Sequence, residues 1–261
     1  MATDKTIVLV TGANSGIGLE TVIHLSKSSP NYHIILCSRS QEKGEKALSS
    51  IQSAHGSSLQ SPISVLQLDV TSAESIAAAK SHLDSTFSGH LDVLVQNAGV
   101  MPYQPLRDNS ALTSFRETFE TNVFGAAMLT DALAPLLQKS AEARIIYVSS
   151  GLGSITLRLD PGDEWRAIQG TIYRSSKAAL DMLAACHRVE FAGWGCKVCA
   201  FNPGFCVTNL SGEEGRKRRV EMGARPASDA GRVLVDVISG KRDADVAKNG
   251  MVDVDGGVLP W

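Results

Sequence analysis

The sequence lacks several features, and each absence excludes a class of function. No apolar run among its 261 residues approaches the roughly 20 needed to span a bilayer. The opening stretch MATDK leads straight into the apolar run Thr6–Val10 and then glycines, without a secretory-signal pattern. Charge of one sign is also missing. The 25 basic residues are balanced by 27 acidic ones, a net charge of −2, so no global basic field points to nucleic acid. The six histidines are scattered and match no metal-ligand spacing. The five cysteines, Cys37, Cys186, Cys196, Cys199 and Cys206, are odd in number and lack paired Cys/His spacing, which argues against zinc. Cys196 and Cys199 form a CxxC, but in CKVCAFN, which reads as a strand. Strand residues three apart face opposite sides, about 10 Å apart at about 3.3 Å per residue, too far for a disulfide. A cytoplasmic protein with reduced thiols, no metal, no membrane and no nucleic-acid partner is expected.

What is present is alternation. Short apolar runs occupy 6–10, 32–38, 64–68, 91–96, 144–149, 197–202 and 250–254. Several are apolar at successive positions, as in parallel strands covered on both faces. Between them, Leu19, Val22 and Ile23 mark one helix, and Phe115, Phe119, Val123, Ala126 and Leu133 mark a long one. This βαβα order predicts an α/β fold, a Rossmann-like doubly wound sheet of about seven parallel strands. No repeat, linker or low-complexity tract interrupts it, so residues 1–261 form a single domain.

VTGANSGIG follows the first strand and opens the first helix. Gly12, Gly16 and Gly18 permit positive φ and close approach of a ligand to the backbone. The helix N-terminus then offers free N–H groups to a pyrophosphate. In this βαβ context the loop Gly12, Asn14, Ser15, Gly16, Ile17, Gly18 predicts a dinucleotide site. At the end of the second strand, CSRS places Ser38 where NAD-binding sites carry an acidic residue, followed by Arg39. An arginine there suits a ribose 2′-phosphate, so NADP(H) is expected in preference to NAD(H).

YRSSK opens a further helical pattern, supported by Ala178, Met182, Ala185, Cys186 and Val189 at helical spacing. Tyr173 and Lys177, at i and i+4, share one helix face. A free phenol titrates near 10, and lowering that by roughly three units needs about 4 kcal/mol. A lysine cation about 4 Å away at an effective dielectric near 20 supplies about that much. Such a tyrosine can act as a general acid or base; the plain alternative is a surface tyrosine beside a snorkelling lysine. Two segments break the rhythm. Residues 151–169 make a long connection centred on Pro161-Gly162, and the run Arg216, Lys217, Arg218, Arg219 reads as a solvated helix face beside Glu213 and Glu214, with a nuclear signal or an anion site as the alternative.

Taken together these residues resemble the short-chain dehydrogenase/reductase family along nearly the whole chain. TGANSGIG matches its cofactor loop, and LDV (Asp69, Val70) its adenine-contacting segment. QNAG (Asn97, Ala98, Gly99) resembles the family's NNAG, with Gln96 in place of the first asparagine. TNVFG carries Asn122, VSSGLG carries Ser150 and YRSSK carries Tyr173 and Lys177. NPGFCVT matches the nicotinamide-side segment through Pro203, Gly204 and Thr208, with Cys206 replacing a usual aliphatic residue.

The resemblance implies a carbonyl-reductase-like enzyme, reversible as an alcohol dehydrogenase, acting on a small-molecule carbonyl or alcohol. In that reading Tyr173 donates the proton, Ser150 positions the carbonyl oxygen, Lys177 lowers the tyrosine pKa and holds the nicotinamide ribose, and Asn122 orders water. Residues 154–169, with Trp165 and Arg166, are expected either beside the pocket or as an inert surface loop. The long helix around Phe115–Leu137 and the Tyr173–Val189 helix form dimer and tetramer interfaces in the family. Leu180, Leu183 and Ala184, off the first apolar stripe, suggest burial against a partner, and hence a homodimer or homotetramer. A non-reductive enzyme on this scaffold, a cyclase or isomerase, and a redox-sensing binding protein are the alternatives.

Overall fold

A computed structural model describes residues 5–102 and 110–261. Its centre is one eight-stranded sheet in the order β3-β2-β1-β4-β5-β6-β7-β8. The strands are β1 Thr6–Val10, β2 Tyr32–Ser38, β3 Ile63–Gln67, β4 Val93–Gln96, β5 Arg144–Val148, β6 Lys197–Asn202, β7 Met251–Asp253 and β8 Val258–Leu259. The seven expected strands are all present and mutually parallel. The correction is the two-residue β8, which pairs antiparallel with β7. Asp253 N–H donates to the Gly257 carbonyl at 3.0 Å, closing that hairpin. A pair this short, after a glycine turn, carries no periodicity to read.

Strands β1, β4 and β5 are buried almost throughout, so their side chains alternate between two cores. One face gathers Ile7, Leu9, Ile35, Leu94 and Ile145 beneath α3 (Ala73–Thr86), α5 (Gly125–Leu137) and α7 (Thr171–Glu190). The other gathers Val8, Val10, Ile34, Leu36 and Val95 beneath α1 (Gly16–Ser28), α2 (Gln41–His55) and α9 (Ala227–Ile238). Cys196 belongs to the first core and Cys199 to the second, and all five thiols are free. The CxxC is therefore split across the sheet, as the strand geometry requires.

The long helix anticipated from Phe115 to Leu133 is divided. The helix α4 (Ser110–Phe119) runs into a π turn at Glu120–Phe124 before α5 begins. That turn carries Asn122, and single π turns within α-helices recur at functional positions. On α7, Leu180 and Ala184 face the sheet and are buried, not turned towards a partner. The stripe that marked this helix includes its outward side: Met182 is 65% and Val189 79% exposed. Both sides of α7 are apolar, so periodicity identified a helix without saying which side meets the sheet.

Strand order reverses between β1 and β4. In open α/β sheets the crevice for a ligand lies outside the strand C-termini at such a switch point. The loops following β1, β4, β5 and β6 converge there.

Candidate active site

The loop after β1 is pinned to the end of β4 by a small polar knot. Thr11 is fully buried, and its hydroxyl oxygen accepts from the N–H groups of Asn97 and Ala98, both at 2.9 Å. In return Asn97 Nδ2 donates to the carbonyls of Thr11 at 2.8 Å and Gly12 at 3.3 Å. Two glycines make room for this. Gly12 has φ +61°, and a Cβ there would lie 3.0 Å from the Ala98 Cα; at Gly18 a Cβ would lie 2.5 Å from Asn97 Nδ2. The Ser15 side chain does not cap α1, leaving first-turn N–H groups for a ligand.

A cavity of about 1030 Å³ opens over this knot. Its walls include Gly12, Asn14, Ser15, Gly16, Ile17, Arg39, Asp69, Val70, Asn97, Ala98 and Gly99 on the dinucleotide side. Ser150, Tyr173, Lys177, Pro203, Gly204, Cys206 and Thr208 line the other side. Three expected residues do not line it. Gly18 packs beneath Asn97 as described. Ser38 is buried on β2 beside Gly44 of α2, so only Arg39 presents a side chain there. Asn122 is buried behind Gly99, accepting from the Val100 N–H at 2.8 Å and donating to the Val100 carbonyl at 2.9 Å and Ser176 Oγ at 3.0 Å. Gln96, the departure from NNAG, reaches across to α5, donating to the Ala126 carbonyl at 3.0 Å and Thr130 Oγ1 at 3.1 Å.

These walls fit a nicotinamide dinucleotide: a close-approach glycine cradle, an uncapped helix start and a basic residue at the end of β2. Around the reacting end, Ser150 follows β5 and its hydroxyl accepts from the Leu152 N–H at 3.2 Å. Tyr173 and Lys177 project from the first two turns of α7. Burial pushes the Tyr173 phenol up to about 12, with Arg219 and the Ser150 hydroxyl pulling it back. Lys177 is not the residue that lowers it here. The Lys177 ammonium donates to the Val148 carbonyl at 2.8 Å and lies 5.7 Å from the Tyr173 ring centroid. Burial in turn lowers Lys177 to about 8, opposed by the nearby Asp181 carboxylate.

Asp181 escaped sequence reading, which groups Arg219 with its basic neighbours as a solvated face. Asp181 extends the series 173, 177, 181 along one face of α7, a spacing that could have exposed it. It is 4% exposed, and burial raises its carboxyl to about 7. Ser149 lies close enough to favour the charged form, yet Ser149 Oγ and both Asp181 carboxyl oxygens make no hydrogen bond. Arg219 ends the basic run on α8 (Gly212–Glu221). Arg216, Lys217 and Arg218 are exposed as expected, but Arg219 turns into the cavity. Helical spacing puts it four residues after the buried Gly215, which marks the inner face of α8.

Residues 151–169 do lie against the cavity. The short helix α6 (Ile155–Leu159) is capped by Ser154, and Leu157, Trp165 and Ile168 contribute to the walls. Trp165 packs on Phe205 with ring centroids 5.3 Å apart, whereas Arg166 points outward to the Asp160 carbonyl. The segment is gripped by Arg174, the residue after Tyr173. Its guanidinium donates to the carbonyls of Leu152, Trp165, Ile168 and Gln169 at 2.8–3.3 Å.

The family model for short chain dehydrogenase matches residues 6–219, and the chain belongs to that family. It is 42% identical over 233 residues to the short-chain dehydrogenase anuI of Penicillium roqueforti, covering 86% of this chain and 88% of the relative. The short-chain dehydrogenase/reductase tropE of Talaromyces stipitatus is 33% identical, covering 99% of this chain and 98% of its own. Among solved structures, an NADPH-bound carbonyl reductase from chicken fatty liver superposes with a TM-score of 0.75 at 27% identity, over 98% of this chain and 99% of that one. The fold is thus Rossmann-like and carbonyl-reductase-like. Among the described residues no helix is long and apolar enough to cross a membrane.

The raised Asp181 carboxyl makes stability depend on pH. The folded chain holds this proton to about pH 7, whereas the ordinary value is 3.8. Across that window the unfolded state binds fewer protons, so stability falls as pH rises, by up to about 1.4 kcal/mol per unit. Asp181→Asn removes the titration. Melting curves from pH 5 to 7 should show a flatter decline for the variant; parallel slopes would show that Asp181 ionises normally in the fold.

Proposed function

We propose that this chain is an NADPH-dependent carbonyl reductase, reversible as an alcohol dehydrogenase, working on a small molecule in the cytosol. One observation carries the reading: the Ser150 hydroxyl, the Tyr173 phenol and the Lys177 ammonium meet in the same cavity as the glycine cradle and Arg39. The glycine loop and the start of α1 hold the pyrophosphate, Asp69 and Val70 flank the adenine, and Arg39 meets the 2′-phosphate. Residues Pro203 to Thr208 bound the nicotinamide end. NADPH, when bound, supplies the hydride.

The side chains move the proton. With its pKa near 12, Tyr173 keeps its proton at neutral pH and donates it to the substrate's carbonyl oxygen. The Ser150 hydroxyl hydrogen-bonds the same oxygen, stabilising charge as it develops there. The phenolate left behind is favoured by the Arg219 cation and the Ser150 hydroxyl, while Lys177, deeper in the site, holds the nicotinamide ribose. Asn122 fixes the backbone at Val100 beside Lys177, the route by which a proton returns through water.

The outward apolar residues on the π turn, α5 and α7 support self-association. Phe124 is 54% and Met128 43% exposed, as Met182 and Val189 of α7 also are. A homodimer or homotetramer covers this face.

Three measurements test this function. NADPH oxidation across aldehydes, ketones and quinones should fall at least about 100-fold in Tyr173→Phe, the scale of a lost general acid; product formed without NADPH consumption would instead indicate a cyclase or isomerase. Arg39→Glu should weaken NADPH binding about 10- to 100-fold, as for a lost charge-assisted hydrogen bond, while sparing NADH; equal losses for both would remove Arg39 from the 2′-phosphate site. Sedimentation at micromolar concentration should give a dimer or tetramer, and a monomer would refute association.

A further inference from the structure

Arg219 is a cation without a counterion. Its guanidinium lies over the Phe205 ring, 5.3 Å from the centroid, and donates to the Cys206 carbonyl at 3.3 Å and to Met101 Sδ at 3.5 Å. None of these neutralises it, and among the described residues no carboxylate lies within ion-pair distance. Burial works against its charge, yet a guanidinium does not give up its proton in proteins. A partly desolvated, unpaired charge is costly unless something else pairs with it. The acidic side chains on the same cavity are engaged or exposed elsewhere: Asp255 pairs with Arg225, Asp253 accepts from Asn202, Asp69 accepts from Thr71, Asp163 Oδ1 accepts from the Trp165 N–H at 3.1 Å, and Asp160 and Glu164 are exposed.

The position is as informative as the charge. Arg219 lines the same cavity as Tyr173, Phe205 and Trp165, so it faces the same space as the proton donor. Phe205 lies between Arg219 and Trp165, touching both. The substrate side of the cavity thus presents a flat aromatic surface with a forked cation beside it. Such a fork matches a carboxylate bidentately.

We propose that Arg219 is a specificity-determining residue that binds a carboxylate on the substrate. The substrate class is then an aromatic or similarly flat carbonyl compound bearing a carboxylate, its body against Trp165 and Phe205 and its carbonyl at Tyr173. This rests on the reductase reading for the fate of the carbonyl, but not for the binding of the acid.

The test pairs binding with turnover. The NADPH-loaded enzyme is titrated with benzoate and with methyl benzoate, following Trp fluorescence, and 3-formylbenzoate and its methyl ester are compared as substrates. Benzoate should bind at least about tenfold tighter than its ester in the wild type. Arg219→Gln, which keeps donors for the Cys206 carbonyl, should bring the two within about twofold without changing NADPH affinity. Arg219→Lys should retain part of the preference. For turnover, the acid's advantage should appear in KM. Equal binding of acid and ester by the wild type, or a preference that survives in Arg219→Gln, overturns the assignment. If the binding preference holds but neither aldehyde oxidises NADPH, the acid site stands and the reductase reading fails on its own.

Discussion

The junction of β1 and β4 is the constraint on which the rest depends. Two parallel strands end side by side where the sheet's order reverses, and their exposed backbone groups must be satisfied without closing the crevice. Thr11 and Asn97 do this by bonding each other's backbone, which leaves the N–H groups of the next turn free. Close packing at Gly12 and Gly18 is a consequence, because any side chain at either position would strike the knot. The cradle is therefore less a flexible loop than a rigid bracket whose outer side has been kept bare.

From that bracket the site grows along α7. One helix face brings Tyr173, Lys177 and Asp181 into a single buried column, and Asp181 acts on both of the others. Burial disfavours charge on all three, so the column resists ionisation except where a partner offsets it. Lys177 draws on Asp181 and the Val148 carbonyl; Tyr173 draws on Ser150 and Arg219. The first turns of α7 thus hold a protonated phenol over a cation whose own charge is only partly secured.

Much of this was legible in the sequence because it is local. Apolar runs of five to seven residues at β1, β2 and β5 signal strands buried on both faces, and the glycine spacing signals a tight turn. Tyr173, Lys177 and Ser150 sit in short motifs whose spacing survives in three dimensions. What was not legible depends on direction. Arg219 and its three basic neighbours differ only in which way the helix turns them. The Leu180 and Met182 sides of α7 are both apolar, and only the docked sheet distinguishes them. The two-residue β8 exists because β7 offers it an edge. Likewise, the electrostatic partner of Tyr173 is not the lysine four residues away but an arginine forty-six residues on, which no local pattern connects to it.

The grip of Arg174 on residues 152–169 has a consequence for how such an enzyme can change. Every bond it makes to this segment goes to a backbone carbonyl, so the anchor is indifferent to side-chain identity. Leu152, Trp165, Ile168 and Gln169 can be exchanged while the chain keeps its path. The residue that fixes this path is the immediate neighbour of Tyr173, which keeps the segment in register with the cavity. The arrangement works like an interchangeable jaw bolted to a fixed frame: the lining can be altered while Ser150, Tyr173 and Lys177 keep their places.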